Sequence, residues 1–252
     1  MKLFLLSDLH LPLANNVRLS AFGNHWNDHE TKMAQQWDRI INPEDAILIP
    51  GDVSWANSIN RAKPDFDWLE ARPGTKFISP GNHDRWWKNP RKPEPGLPPS
   101  TKAVLPQWQP FYGGIIAATV GCTAPGDRFF NHYDAKRWDA AKNELQELLE
   151  NMPKYAEAFR AKFTALMIHY PPTLWDGTPN PLGELILKAK PTLCVYGHIH
   201  QPEEWEKGWH GTIQDTTFLI GSADANDFKP VEVGTLKPTL KLLTPQKPCA
   251  LS

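Results

Sequence analysis

Apolar residues along this chain fall into short unbroken runs, and each run stops at a polar turn. Lys2 to Ser7 reads as a buried strand, Asp45 to Pro50 as a second and Thr75 to Ser79 as a third. Gly113 to Gly121, residues 163–168 and residues 192–196 repeat the form. Between them the period changes to that of a helix. Thr31 to Ile41 carries Met33, Trp37, Ile40 and Ile41 on one face and ends at Pro43. Residues 58–71 form another helical stretch, closed by Pro73-Gly74. Ala135 to Asn151 has Ala135, Trp138, Ala141, Leu145, Leu148 and Leu149 at helical spacing. Pro153 is expected to break it, with a second helix running on to Lys162, and residues 182–190 predict one more. After residue 210 the pattern is all strand, over Thr212–Ile220, Pro230–Val233 and Thr239–Leu243. Strands alternating with helices, followed by consecutive strands, predict an α/β sandwich with mixed sheets.

Two stretches break the rhythm. Residues 11–30 are polar and irregular, and His25 and His29 read as solvated loop histidines, with the rim of a site as the alternative. From Lys88 to Pro110 the prolines at 90, 93, 95, 98, 99, 106 and 110 exclude helix interior and central strand. That insertion is read as an irregular surface wrap, with a lid over the site as the alternative.

At 252 residues the chain fits one large domain, taken as residues 1–243 with a flexible tail at 244–252. The formal net charge of −1 gives no general attraction to nucleic acid or to an anionic membrane. A phosphate-bearing substrate therefore needs a local positive centre. Cys122, Cys194 and Cys249 stand at unrelated spacings, so neither a disulfide framework nor a thiolate zinc site is indicated. The apolar run after Lys2 is too short for a signal peptide, and nothing approaches the ~18 apolar residues of a membrane span. A cytoplasmic location is expected. Cys249-Ala250-Leu251-Ser252 matches a prenylation box in form, but with no polybasic segment upstream it is read as coincidence.

The chemistry lies where the strands end. Asp8-Leu9-His10 follows the first run, Gly51-Asp52 the second and Gly81-Asn82-His83-Asp84 the third. His169 follows residues 163–168, and Gly197-His198-Ile199-His200 follows residues 192–196. In open α/β folds ligands sit beyond the carboxyl ends of the strands, so these five groups can converge. Collecting that many imidazoles and carboxylates costs several kcal/mol unless a cation compensates them. Residues two apart in an extended segment point the same way, so Asp8 and His10 can face one centre. His198 and His200 have the same relation, each able to serve one of two metals. Oxygen and imidazole donors without thiolate suit Mn²⁺, Fe or Zn²⁺ at open sites. Two adjacent cations lower the pKa of a shared water and neutralise phosphoryl charge. Asp52 is the natural carboxylate to hold both. His83, with Asp84 expected to fix its tautomer and raise its pKa, fits a proton donor to the leaving oxygen.

In this order the five motifs resemble the signature of the calcineurin-like metallophosphoesterases, over residues 8–200. The resemblance implies a four-layer sandwich, two mixed β-sheets packed face to face with helices on the outer faces. It implies a first metal on Asp8, His10, Asp52 and His200, a second on Asp52, Asn82, His169 and His198, and His83 as acid supported by Asp84. It departs from the pattern in two places. Gly51-Asp52-Val53-Ser54-Trp55 lacks a further acidic residue carried by some branches, and Asp84 stands where phosphoprotein phosphatases of the family have Glu. Small prokaryotic members carry a stretch similar to Gly51–Ala56. Arg85, Arg137 and His132 are candidates for substrate contact, and Trp55, Trp86 and Trp87 for stacking or core. The expected activity is hydrolysis of a small-molecule or nucleotide phosphoester by in-line attack of metal-activated hydroxide. A cyclic-nucleotide-type phosphodiesterase or nuclease is the alternative, although the balanced charge advertises no basic groove. A non-catalytic scaffold is disfavoured because no ligand is missing.

Overall fold

The computed structural model describes residues 1–15, 19, 23–236 and 240–244. Two six-stranded mixed sheets form its centre. The first has β1 (Lys2–Leu5), β2 (Ala46–Pro50), β3 (Thr75–Ser79) and β4 (Thr101–Ala103) parallel. On its other side β11 (Val231–Thr235) and β12 (Lys241–Leu242) are added antiparallel. The second has β6 (Gly114–Thr119), β7 (Thr164–Ile168), β8 (Leu193–Tyr196) and β10 (Thr216–Ile220) parallel. Its edges are β5 (Gln109–Phe111) and β9 (Gly211–Ile213), both antiparallel to their neighbours.

Successive side chains on a strand face opposite ways, and here both faces are buried. Leu3 and Leu5 of β1, with Ala46 and Leu48 of β2, share one core with Ile116, Ala165, Met167, Val195 and Leu219 of the other sheet. The residues between them face outward. Phe4, Ile47 and Ile49 pack on Met33 and Trp37 of α1 (His29–Ile40) and on Phe66 and Leu69 of α2 (Lys63–Glu70). Leu166, Ile168, Cys194 and Phe218 pack on Leu145, Leu148 and Leu149 of α3 (His132–Ala158) and on Leu182 and Ile186 of α4 (Pro181–Ala189). The order helix, sheet, sheet, helix is the expected four-layer sandwich. It explains why the strands read as unbroken apolar runs rather than as alternating ones.

Several expected elements differ. Pro153 does not break α3, which runs unbroken from His132 to Ala158. A proline inside a helix forfeits one hydrogen bond, but this one is exposed, and Met152, Tyr155 and Ala156 around it anchor the turn on the core. The helix expected over 58–71 begins at Lys63, with Pro64 in its first turn. Thr212–Ile220 is a hairpin, β9 and β10, reversed at Gln214, whose φ is 54°. The proline-rich insertion is not wholly irregular, since it contributes β4 and β5, each at the edge of a sheet as proline requires. The residues before β4 are tied to α2 by Ser100–Glu70 and to α3 by an Arg91–Glu144 ion pair of 2.9 Å. His29 is buried, not solvated. Cys122 and Cys194 are free, buried thiols. The tail expected at 244–252 lies, from residue 245 on, outside the described residues, as does Cys249.

Candidate metal centre

Beyond the ends of the parallel strands the ladder hydrogen bonds continue for a few residues and stitch the loops together. Asp8 N donates to Gly51 O at 3.0 Å and His10 N to Asp52 O at 2.9 Å. Gly197 N donates to His169 O at 3.1 Å, and Ser7 N to Gly221 O at 2.6 Å, which joins the first sheet to the second. All five predicted groups thus open onto one spot. The backbone there is contorted. Asp8, His10, Asp52 and His198 have φ of 55°, 43°, 54° and 73°, a left-handed region that side chains rarely adopt and that recurs at functional sites. The packing also needs glycine. A Cβ on Gly81 would strike the Asp52 carboxylate, and one on Gly197 that of Asp8.

Two donor clusters result. In one, His10 Nε2 lies 3.3 Å from His200 Nε2, and His200 Nε2 lies 3.7 Å from Asp8 Oδ1. In the other, Asn82 Oδ1 lies 2.8 Å from His169 Nε2 and 3.0 Å from His198 Nδ1, and those two nitrogens are 3.3 Å apart. Asp52 Oδ2 stands between, 3.7 Å from His10 Nε2 and 3.5 Å from His169 Nε2. Donor atoms of Asp8, His10 and His200 all lie within 4.8 Å of one another, and so do those of Asp8, Asp52 and His169.

Several of the outer ring and carboxylate atoms are held from outside. Pro50 O lies 2.9 Å from His169 Nδ1, which holds a proton there and leaves Nε2 as the nitrogen a metal would take. Asp224 does the same for His200, with both carboxylate oxygens 3.0 Å from Nδ1. Asp8 accepts from the Ser7 and Ser222 hydroxyls and from His198 N. Asp52 Oδ1 accepts from His83 N at 2.8 Å.

Proton affinities reflect this crowding. Burial pulls His169 down, but Asp52 and then Asp8 outweigh it and carry it up to about 9. His200 follows the same course to about 9, through Asp224 and then Asp8. Burial pushes His10 and His198 well below the usual range, and Asp8 upward. Burial opposes ionisation of Asp52 too, yet His169 and His10 hold its carboxyl well below the carboxylate range. Imidazoles competing for protons beside two buried carboxylates are an arrangement that divalent cations relieve. The oxygen and imidazole donors, with lone pairs aimed inward, fit such ions.

His83 and Asp84 depart from expectation. Asp84 is buried and accepts from Val53 N, Ser54 N, Gly81 N and Trp86 Nε1 at 2.7–3.0 Å, so its oxygens bind two site loops together rather than His83. Burial, and then the Asp52 charge, push Asp84 up to about 7. The pKa of His83 is lowered rather than raised, by burial first, with Asp52 opposing. Its ring lies 3.9 Å from that of Trp55, and Trp55 stacks on His10 at 5.1 Å. Trp86 and Trp87 are core. Arg85 is exposed two positions after His83. Arg137 is exposed on α3, near enough to Tyr170 to lower its phenol against burial, and Tyr170 packs on His198 at 4.0 Å. His132 is exposed with its ring against Tyr133 at 3.8 Å, and no contact is recorded between it and the centre.

Three residues, Ser222, Asp224 and Tyr170, escaped the sequence reading. Ser222 and Asp224 follow the apolar β10 as the other motifs follow their strands, a signal that was present. Tyr170 directly follows His169. His29, at the start of α1, sets Nε2 3.2 Å from Leu9 O and 3.1 Å from His10 O and so braces the first motif, nearer to the alternative reading of a residue beside the site than to a solvated loop.

The model of the calcineurin-like phosphoesterases matches residues 1–202. The chain belongs to that family. The calcineurin-like phosphoesterases are metal-dependent phosphohydrolases, and the donor clusters above are where such a member would carry its metal. Among curated relatives, the Gene 66 protein of Mycobacterium phage L5 is 26% identical over 121 residues, 48% of this chain and 55% of that protein. The Gene 66 protein of Mycobacterium phage D29 is 42% identical over 59 residues, 23% of this chain and 29% of that one. The chain thus spans about half the length of the first and under a third of the second. Among solved structures, a protein of unknown function from Aquifex aeolicus, AQ665, aligns with TM-score 0.47 at 16% identity, covering 92% of this chain and 95% of that one. Phosphopantetheinyl hydrolase from Mycobacterium tuberculosis aligns with TM-score 0.43 at 17% identity, covering 88% of each. No helix among the described residues is long and apolar enough to cross a membrane.

Proposed function

We propose that this calcineurin-like protein is a two-metal phosphoesterase acting on a small-molecule or nucleotide phosphoester, in a single domain of residues 1–243. Asp8, His10, Asp52 and His200 would hold one cation, and Asp52, Asn82, His169 and His198 the other. Manganese suits this donor set best, with iron or zinc as alternatives. What carries the reading is the position of Asp52 Oδ2, 3.7 Å from a nitrogen of one cluster and 3.5 Å from a nitrogen of the other. One buried carboxylate between two imidazole groups is the arrangement a bridging ligand needs.

When bound, a pair of divalent ions supplies Lewis acidity and an activated water. The chain does the rest. Asn82 and the histidines orient the phosphoryl group, and the packed loops exclude bulk water. His83, at the rim against Trp55, donates a proton to the departing ester oxygen, the negative charge of the bound phosphoryl group offsetting the burial that lowers its proton affinity. Arg85 supplies positive charge beside it. Asp84 contributes by holding the His83 loop in place through its four accepted hydrogen bonds.

Removing metal by chelation should abolish hydrolysis of a chromogenic phosphoester, and Mn²⁺ should restore it. Activity indifferent to chelator would end this reading.

A further inference from the structure

We propose that the hollow beside His198 and His200 receives the organic group of the phosphoester, and that this group is a flat heteroaromatic ring with a hydrogen-bond donor on its edge. The proposal rests on the phosphoesterase reading and names the substrate class within it.

The hollow has a volume of about 210 Å³ and opens directly from the metal centre, since His198 and His200 form part of its wall. Space of this size takes a ring system but not a protein segment. Tyr170, packed on His198, carries the apolar lining outward toward Leu174. At the mouth stand Phe129 and Trp175, which are 57% and 38% exposed. Two large aromatics left in water at one mouth, both against Arg128, cost apolar burial and call for a covering group.

Their setting is built. Asp127 accepts from Phe129 N at 2.9 Å and from Trp175 N at 3.0 Å, so one carboxylate holds both rim residues. The Arg128 guanidinium lies 4.7 Å from the Phe129 ring and 5.2 Å from that of Trp175, and Lys207 Nζ lies 4.9 Å from Trp175. These cations hold both rings in place. The ring surface they leave uncovered is what a flat partner would meet.

The wall also carries charge. Glu204 lines the hollow with its side chain 10% exposed, and its Oε1 meets Arg128 at 3.2 Å. It offers an acceptor to a donor such as an amino group on a ring.

Adenosine 5′-monophosphate and ribose 5-phosphate share the same leaving oxygen and differ only by the base. Wild-type enzyme loaded with Mn²⁺ should show a kcat/KM roughly tenfold higher for the nucleotide, the scale of one stacked base. Trp175→Ala and Phe129→Ala should each bring the ratio of the two substrates toward one, through KM, and Glu204→Gln should lower it. Equal turnover of both substrates by the wild type, or a ratio unmoved by Trp175→Ala, would overturn the proposal. Should neither substrate be hydrolysed, ligand-observed NMR with adenosine and the wild-type protein decides separately from the phosphoesterase reading. Binding that Trp175→Ala abolishes supports the hollow; absence of binding overturns it.

Discussion

Both carboxylate oxygens of Asp224 lie 3.0 Å from Nδ1 of His200. Asp224 is fully buried, and its own loop holds it, with Ala225 N donating to Oδ1 at 3.1 Å. The imidazole therefore keeps its proton on the outer nitrogen and turns Nε2 toward Asp8 and His10. Replacing Asp224 by Ala should lower Mn²⁺ affinity about 10–100-fold, the range for partners that orient a metal-binding histidine. Titration calorimetry would measure it, and Asp224→Glu should recover part of the loss. Affinity unchanged in Asp224→Ala would remove the carboxylate from any part in metal binding.

The Asp52 carboxylate lies within 4 Å of both His10 and His169. Asp52→Asn keeps the acceptor for His83 N but removes the charge, so metal and activity should fall together. The expected fall in kcat/KM is on the order of 10³-fold, several kcal/mol of lost charge stabilisation. Elemental analysis beside kinetics checks this. A variant retaining two equivalents of metal would contradict the bridging assignment.

His83→Ala should leave metal content intact and cost roughly 10²–10⁴ in rate on an ester of a poor leaving group. On a leaving group that departs without protonation the deficit should shrink toward nothing. An equal deficit on both would assign His83 to positioning, through its packing on Trp55.

Asp65 offers a test away from the metal. It is buried, takes a hydrogen bond from Ala14 N at 3.0 Å and another from the Ser54 hydroxyl, and burial pushes its carboxyl up to about 6. The folded value exceeds the unfolded one near 3.8, so the folded state binds the extra proton between those limits. Its contribution to stability is complete below the unfolded pKa and is lost as pH rises through about 6, leaving a cost of about 3 kcal/mol at neutral pH. Asp65→Asn should therefore melt higher than wild type at pH 7, and the gap should narrow on going to pH 5. A gap independent of pH between those values would show that Asp65 does not titrate there.

The strand-end motifs were legible because each is local: an apolar run buried on both faces must stop before Asp8, Asp52, Asn82, His169 and His198 can face solvent or a cation. Five such stops in order sufficed to bring the candidate donors to one end of the sheets and to give the α/β class, since a strand's direction and end are written in a few consecutive residues. Pro153 misled because a local rule was outvoted by the core contacts of Met152 and Tyr155 on either side. Asp84 misled because adjacency to His83 in the chain says nothing of direction, and its oxygens turned to four donors instead. Which oxygen meets which nitrogen depends on how two sheets pack. That packing brings Asp224 to His200, Asp8 to His198 across 190 residues, and Phe129 beside Trp175, through contacts no short window of sequence contains.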